Sequence, residues 1–143
     1  MTIVDKCFEN EHVLIVRDME IHDRTTAAAM LARAVKANAF PEDFLPETGV
    51  VVEHCGRVIC IIPVYMEATS NVAVLGHFIA DVSANRKLVA KAAKLAIEAA
   101  AAWAKKQGRK YVISIFGRNS INRIADKLGF ITTEIIEEKI YHQ

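Results

Sequence analysis

The stretch NVAVLGHFIADVSANRKLVAKAAKLAIEAAAAWAKKQGRKYVISIF, residues 71–116, decides the fold. It reads as strand, tight turn, long alanine-rich helix, strand. A β-rich run from Val72 to Val82 carries Gly76 inside it, at a bulge position. The helix spans about Arg86 to Gln107, with Leu88, Ala92, Leu95, Ala99 and Trp103 at helical spacing and therefore expected to face a sheet. Lys105, Lys106 and Gly108 form its C-terminal stop. Tyr111 to Phe116 is a continuous apolar run, the pattern of a strand buried on both faces. Such a unit makes a parallel strand pair joined by a right-handed crossover. Its turn, Ser83 to Ala92, starts the helix with a basic, small-residue segment. A helix N-terminus has unpaired N–H groups and a partial positive charge, so it attracts phosphate, and this is the place expected for a nucleotide-like ligand.

Working outward from this unit, Val13-Leu14-Ile15-Val16 reads as a first strand, and Asp23 as a helix N-cap. Thr26 to Ala39 reads as a helix with Met30, Leu31, Ala34 and Val35 on one face. Pro41 and Pro46 interrupt the connector that follows. Gly49 to Glu53 and Arg57 to Tyr65 form a hairpin about His54-Cys55-Gly56, since glycine adopts the positive φ of a tight turn. Downstream, Asn119 or Ser120 caps a short helix that ends before Gly129, and Ile131 to Tyr141 is the last strand. The order β, α, β, β, β, α, β, α, β describes one α/β domain over residues 1–143. Its mixed sheet is an antiparallel meander plus one βαβ crossover, with helices on both faces.

Composition narrows the function. The chain has 143 residues, 52% hydrophobic and 24% charged, enough to bury a core and unlike a disordered chain. Its formal net charge is +1, so no global field recruits nucleic acid or an acidic membrane, and anion binding must be local. The long helix carries Lys91, Lys94, Glu98, Lys105 and Lys106 and is no membrane span. The three cysteines, Cys7, Cys55 and Cys60, match no zinc spacing and follow no signal peptide, which predicts free thiols in a reducing cytoplasm. The histidines are too scattered to propose a metal.

The element order and local residues resemble the GCN5-related N-acetyltransferase (GNAT) superfamily, most strongly from Val72 to Tyr141. In that family the fourth strand ends in a pattern like Val-x-Pro-x-x-Arg, followed by Arg/Gln-x-x-Gly-x-Gly/Ala at the helix start. Val82-Ser83-Ala84-Asn85-Arg86-Lys87 falls on the first piece, with Ala84 for proline and Lys87 for arginine. Lys87-Leu88-Val89-Ala90-Lys91-Ala92 falls on the second, with Ala90 for glycine, and Leu95 sits where the family has leucine. Asn119 to Phe130 resembles the family's Asn-rich helix, and Lys127-Leu128-Gly129-Phe130 matches its ending in full. Ala125 stands where many relatives have the tyrosine that protonates the leaving thiolate. The motifs are degenerate at these chemical positions.

The resemblance implies an acyl-CoA N-acyltransferase (GNAT) fold and transfer of an acetyl or acyl group from acetyl-CoA to an amine by direct attack. The alternative is a GNAT-fold binding or structural protein that lacks acetyl transfer. It also implies that the strands before and after the crossover splay apart around the thioester. The backbone near Ala80 and Val82 would then meet the pantetheine arm, with Lys87, Leu88, Val89, Ala90, Lys91 and Ala92 at the diphosphate and Asn119 nearby. An ordinary helix start with solvated lysines explains the same residues. His77 and Asp81, four apart on one strand and so on one face, are candidates for base or proton relay. Equally, they are polar ends of a half-exposed strand, with Asp81 paired to Arg86 or Lys87. Arg118, Arg123 and Lys127 form a basic face, either solvated or touching a 3′-phosphate. Acceptor specificity, for a small-molecule or peptide amine, is expected between Thr26 and Pro46 and in the final strands. A homodimer through the C-terminal strands rests on family analogy.

Overall fold

Cys55 and Gly56 lie at φ 55° and 73°, so the first hairpin closes through two residues of left-handed backbone. This is the two-residue turn whose twist matches that of the flanking strands. The computed structural model describes residues 13–34, 41–116 and 120–131. Around that hairpin, β2 (Gly49–His54) and β3 (Arg57–Met66) pair antiparallel, and β1 (Leu14–Asp18) pairs antiparallel with β2. On the other edge of β3 lie β4 (Val72–Leu75) and β5 (Ile79–Ala80), both antiparallel to it. β6 (Tyr111–Ser114) is parallel to β4. The path across the sheet is β1-β2-β3-β4-β6, so the antiparallel meander and the single parallel crossover are both present.

The helices lie on opposite faces. α1 (Asp23–Ala34) sets Ala27, Met30 and Leu31 against Val51, Ile61 and Ile79. α2 (Arg86–Lys106) and α3 (Ser120–Lys127) cover the other face, over Val50, Val52, Cys60, Ile62, Val64, Ala73 and Leu75. Each fully buried Val, Leu or Ile contributes about 1.5–3 kcal/mol.

Several sequence expectations shift. α1 begins at Asp23, and the carboxylate reaches back to accept the Glu20 N–H at 2.7 Å. Asp23 therefore acts from the first residue of the helix, reaching back across the turn as the acidic residue of a capping box does, and is not the N-cap itself. It also pairs with Arg17, whose Nη1 and Nη2 bond its two oxygens at 2.7 and 2.9 Å. Arg17 Nε reaches Glu53 at 3.0 Å, so one guanidinium ties β1, β2 and α1 together. Ala34, expected on the apolar face, is exposed, and Val35 lies outside the described residues.

On α2 the sheet-facing stripe is Ala92, Ala93, Ala96, Ile97, Ala100 and Ala104. Leu95 is 37% exposed, and Leu88, Ala99 and Trp103 flank the stripe instead of forming it. Alanines let the helix axis approach the sheet closely, so the line of contact follows the small residues and displaces the larger ones to its sides. At the far end, Gly108 at φ 80° ends the helix, Arg109 N–H donates to the Ala104 carbonyl and Gly108 N–H to that of Lys105. These are the two bonds of a Schellman cap.

β6 is not buried on both faces. Tyr111, Ile113 and Ile115 are exposed, while Val112 packs on the α2 side. The alternation shows a strand covered by helix on one face only. Cys60 is a buried free thiol, whereas Cys55 is disulfide-bonded, so the expectation of free thiols fails at Cys55. Asn119 and the last expected strand beyond Ile131 lie outside the described residues.

Candidate functional site at the opening between the parallel strands

The expected strand Val72–Val82 is broken. Leu75 faces Val64 and Ile79 faces Ile61, so four steps along the outer chain match three along β3. One extra residue is inserted there, which is a β-bulge. Gly76 sits in it, and its N–H donates to the Pro63 carbonyl at 2.7 Å. A Cβ on Gly76 would come within 2.8 Å of the Tyr65 ring and 3.1 Å of the Pro63 oxygen, so the bulge is closed around hydrogen.

The bulge changes which backbone groups face outward. The last β4–β6 pair is Leu75 with Ser114, and β5 pairs with β3 alone. Asp81 N–H donates to the Ile59 carbonyl at 2.9 Å. In an antiparallel ladder, neighbouring residues alternate between facing the partner and facing away. Ala80, between Ile79 and Asp81, therefore turns its N–H and C=O away from β3, toward the opening, where no described strand pairs with them. His77 is half-buried within the bulge segment. His77 and Asp81, expected on one face of one strand, are thus separated by a break in it.

Past β5 the chain turns without glycine. The Asp81 carboxylate accepts the Ser83 N–H at 2.9 Å and the Ser83 hydroxyl at 2.7 Å, and pairs with Arg57. The expected partners Arg86 and Lys87 are not its partners. Hydrogen bonds from Ser83, foremost its hydroxyl, hold this carboxyl below its ordinary range against desolvation, with the Arg57 charge adding to them. Ala84 N–H closes the turn on the Asp81 carbonyl at 3.1 Å. Asn85 then caps α2, its Oδ1 accepting the N–H groups of Lys87 at 2.8 Å and Leu88 at 3.4 Å. Two Asx side chains thus shape a turn that has no glycine, and in doing so occupy three of its amides.

This geometry sorts the residues expected at a diphosphate. Lys87, Ala90 and Lys91 are exposed on the first turns of α2, with Arg86 beside them, while Val82 is exposed in the preceding turn. Leu88 and Val89 are half-buried against the core. Ala92 is wholly buried under the helix, so its side chain meets the sheet and no ligand. The first turn has no acidic residue. Cations at a helix N-terminus oppose the helix dipole, so Arg86 and Lys87 destabilise α2 unless an anion is bound. The Lys87 and Leu88 amides are already held by Asn85, which leaves the Arg86 amide, at the first helical position, as the open donor of that turn.

On α3, Ala125 is fully buried, and its carbonyl accepts the N–H of Phe130 at 3.1 Å. Gly129, at φ 99°, donates its N–H to Asp126. Lys127-Leu128-Gly129-Phe130 is therefore the Schellman end of a helix, which gives that motif a structural reason. Among the described residues no group of His, Cys, Asp and Glu could hold a metal, and no helix is long and apolar enough to cross a membrane.

Arg57 was not legible as part of this site. The signal for it lies in the register: with Cys60 opposite Ala80, the same count carries Arg57 opposite Ser83.

No family model matches the chain, and no curated protein matches it. Solved structures do. A Trypanosoma brucei acetyltransferase superposes with a TM-score of 0.62 at 18% identity, over 90% of this chain and 100% of that one. Ribosomal-protein-alanine N-acetyltransferase from Brucella melitensis biovar Abortus 2308 gives 0.67 at 13% identity, over 91% and 100%. AAC(6')-Iy, in complex with the bisubstrate analogue CoA-S-monomethyl-acetylneamine, gives 0.64 at 14% identity, over 92% and 99%. At these identities the likeness is one of fold.

Proposed function

We propose that this chain, which has the acyl-CoA N-acyltransferase (GNAT) fold, moves an acetyl or acyl group from acyl-CoA to an amine. The observation that carries the reading is the Ala80 backbone, which turns into the opening past Leu75 and Ser114 and pairs with no described strand there. A pantetheine arm is a chain of amides and would complete that edge as a strand does. Arg86, Lys87 and Lys91 would face the diphosphate, with Val82, Leu88, Val89 and Ala90 beside it; Asn119, outside the described residues, keeps the role the family resemblance implies. One solved structure of this fold holds a bisubstrate analogue that contains CoA, which supports this reading.

In the reaction the amine lone pair attacks the thioester carbonyl carbon. The C–N bond forms, the C–S bond breaks, the nitrogen loses a proton, and the CoA sulfur gains one. Holding the two partners in line supplies much of the rate. Asp81, already engaged by Ser83 and Arg57, serves the turn, and His77 is our candidate for accepting the proton. Ala125 has none to give, so the thiolate takes its proton from water. The acceptor is a small-molecule or peptide amine. The cytoplasm is the compartment expected from the sequence; the buried thiol of Cys60 would stay free in any compartment, and the Cys55 disulfide is not what a reducing one favours.

A second reading, a GNAT-fold binding or structural protein without acetyl transfer, is favoured by one observation. Asn85 itself occupies two of the amides that an anion would use. Titration of acetyl-CoA separates a ligand-free scaffold from the rest, and mass spectrometry of a panel of amines incubated with acetyl-CoA separates a transferase from a binder. Binding without acetylation of any amine would favour the second reading.

A further inference from the structure

We propose that Arg57 is the positioning residue of the CoA site, holding the turn from which α2 starts and thereby setting affinity for the diphosphate. The inference rests on the reading that this turn meets CoA.

Arg57 opens β3 immediately after the Cys55–Gly56 turn, so its place is fixed by the hairpin. Its Nη2 donates to the Ser83 hydroxyl and pairs with the second Asp81 oxygen, the first being taken by Ser83. Arg57, Asp81 and Ser83 thus form a closed triangle across the start of the turn. The next links are the Ala84 N–H on the Asp81 carbonyl and the Asn85 cap on Lys87 and Leu88. No proline stiffens the segment Asp81 to Arg86, so its conformation depends on these side-chain bonds. The Arg57 side chain remains 59% exposed. Both contacts are made by the single Nη2, so a lysine keeps the charge and has donors enough, but its side chain reaches less far than the guanidinium.

The test compares wild type with Arg57→Ala and Arg57→Lys, using calorimetric titration of CoA and of pantetheine, which lacks the diphosphate, and backbone amide exchange. Arg57→Ala is expected to weaken CoA about tenfold while pantetheine is unchanged, and Arg57→Lys to fall between them. The Ser83 and Leu88 amides should exchange faster in Arg57→Ala, with Ala96 and Ile97 unaffected. Equal loss of both ligands together with a lowered Tm would reduce Arg57 to a general stabiliser and overturn the proposal. So would unchanged CoA affinity. If wild type binds no CoA, the reading of the site fails and the affinity role with it, and Ser83 exchange then decides only whether Arg57 holds the turn. Should Arg57→Ala not fold, Ser83→Ala removes one corner of the triangle and is read in the same way.

Discussion

Leu75 of β4 and Ser114 of β6 are the last paired residues of the parallel ladder, and the extra residue beside Gly76 is what ends the pairing. The opening is thus made by the backbone of β4–β5. Gly76→Val should be hard to accommodate, because its Cβ would lie 2.8 Å from the Tyr65 ring and 3.1 Å from the Pro63 carbonyl. The expected loss in urea unfolding is about 1–3 kcal/mol. A variant as stable as wild type would mean that the bulge is not closed around hydrogen.

The Arg17–Asp23 pair makes a second prediction. Burial pushes the Asp23 carboxyl up, but the Arg17 hydrogen bonds, the Glu20 amide and the charges of Arg17 and His22 outweigh it and hold the group below its ordinary value of 3.8. Asp81 is shifted the same way. A carboxyl whose folded value lies below its unfolded one contributes stability that is complete above about pH 5 and lost as pH falls through the folded value. Asp23→Ala should cost about 2–4 kcal/mol at neutral pH, below the range for a wholly buried pair because Arg17 is partly solvated. It should also flatten the fall in stability below pH 4. An Asp23→Ala curve parallel to wild type through the acid range would contradict the assignment.

Cys60 should be chemically silent in the fold. It has no solvent exposure, and burial pushes its thiol up to about 12. The thiolate is the nucleophile, so almost none is present at neutral pH. Iodoacetamide should label Cys60 only in denaturant. Labelling of the native protein, located by peptide mapping, would show that the core around β3 opens.

Much of the fold was legible because its signals are local. The glycine of the Cys55–Gly56 turn, the 21-residue alanine helix and the Lys127-Leu128-Gly129-Phe130 stop each depend on residues within a few positions of each other. What was not legible depends on register. The break in the Val72–Val82 run exists only relative to β3, and Arg57 meets Asp81 across 24 residues of sequence. The rotation of α2 was hidden because alanine carries little hydrophobic signal, so the larger Leu95 drew the predicted stripe off the true one. Tyr111 to Phe116 misled for the opposite reason, since its outward residues are as apolar as its inward ones. At the candidate site, sequence marked the turn, while the structure adds that Asp81 and Asn85 build it and occupy its amides.

On our proposal acyl-CoA binds along β5 and at the start of α2. Isothermal titration of acetyl-CoA into the protein tests it most directly, with Lys87→Glu titrated alongside. The expected result is saturable binding with one molecule per chain, weakened about tenfold or more by the charge reversal at Lys87. No measurable binding at about millimolar ligand, where even a weak site of about −4 kcal/mol would register, would contradict the claim, and binding indifferent to Lys87→Glu would move the site elsewhere.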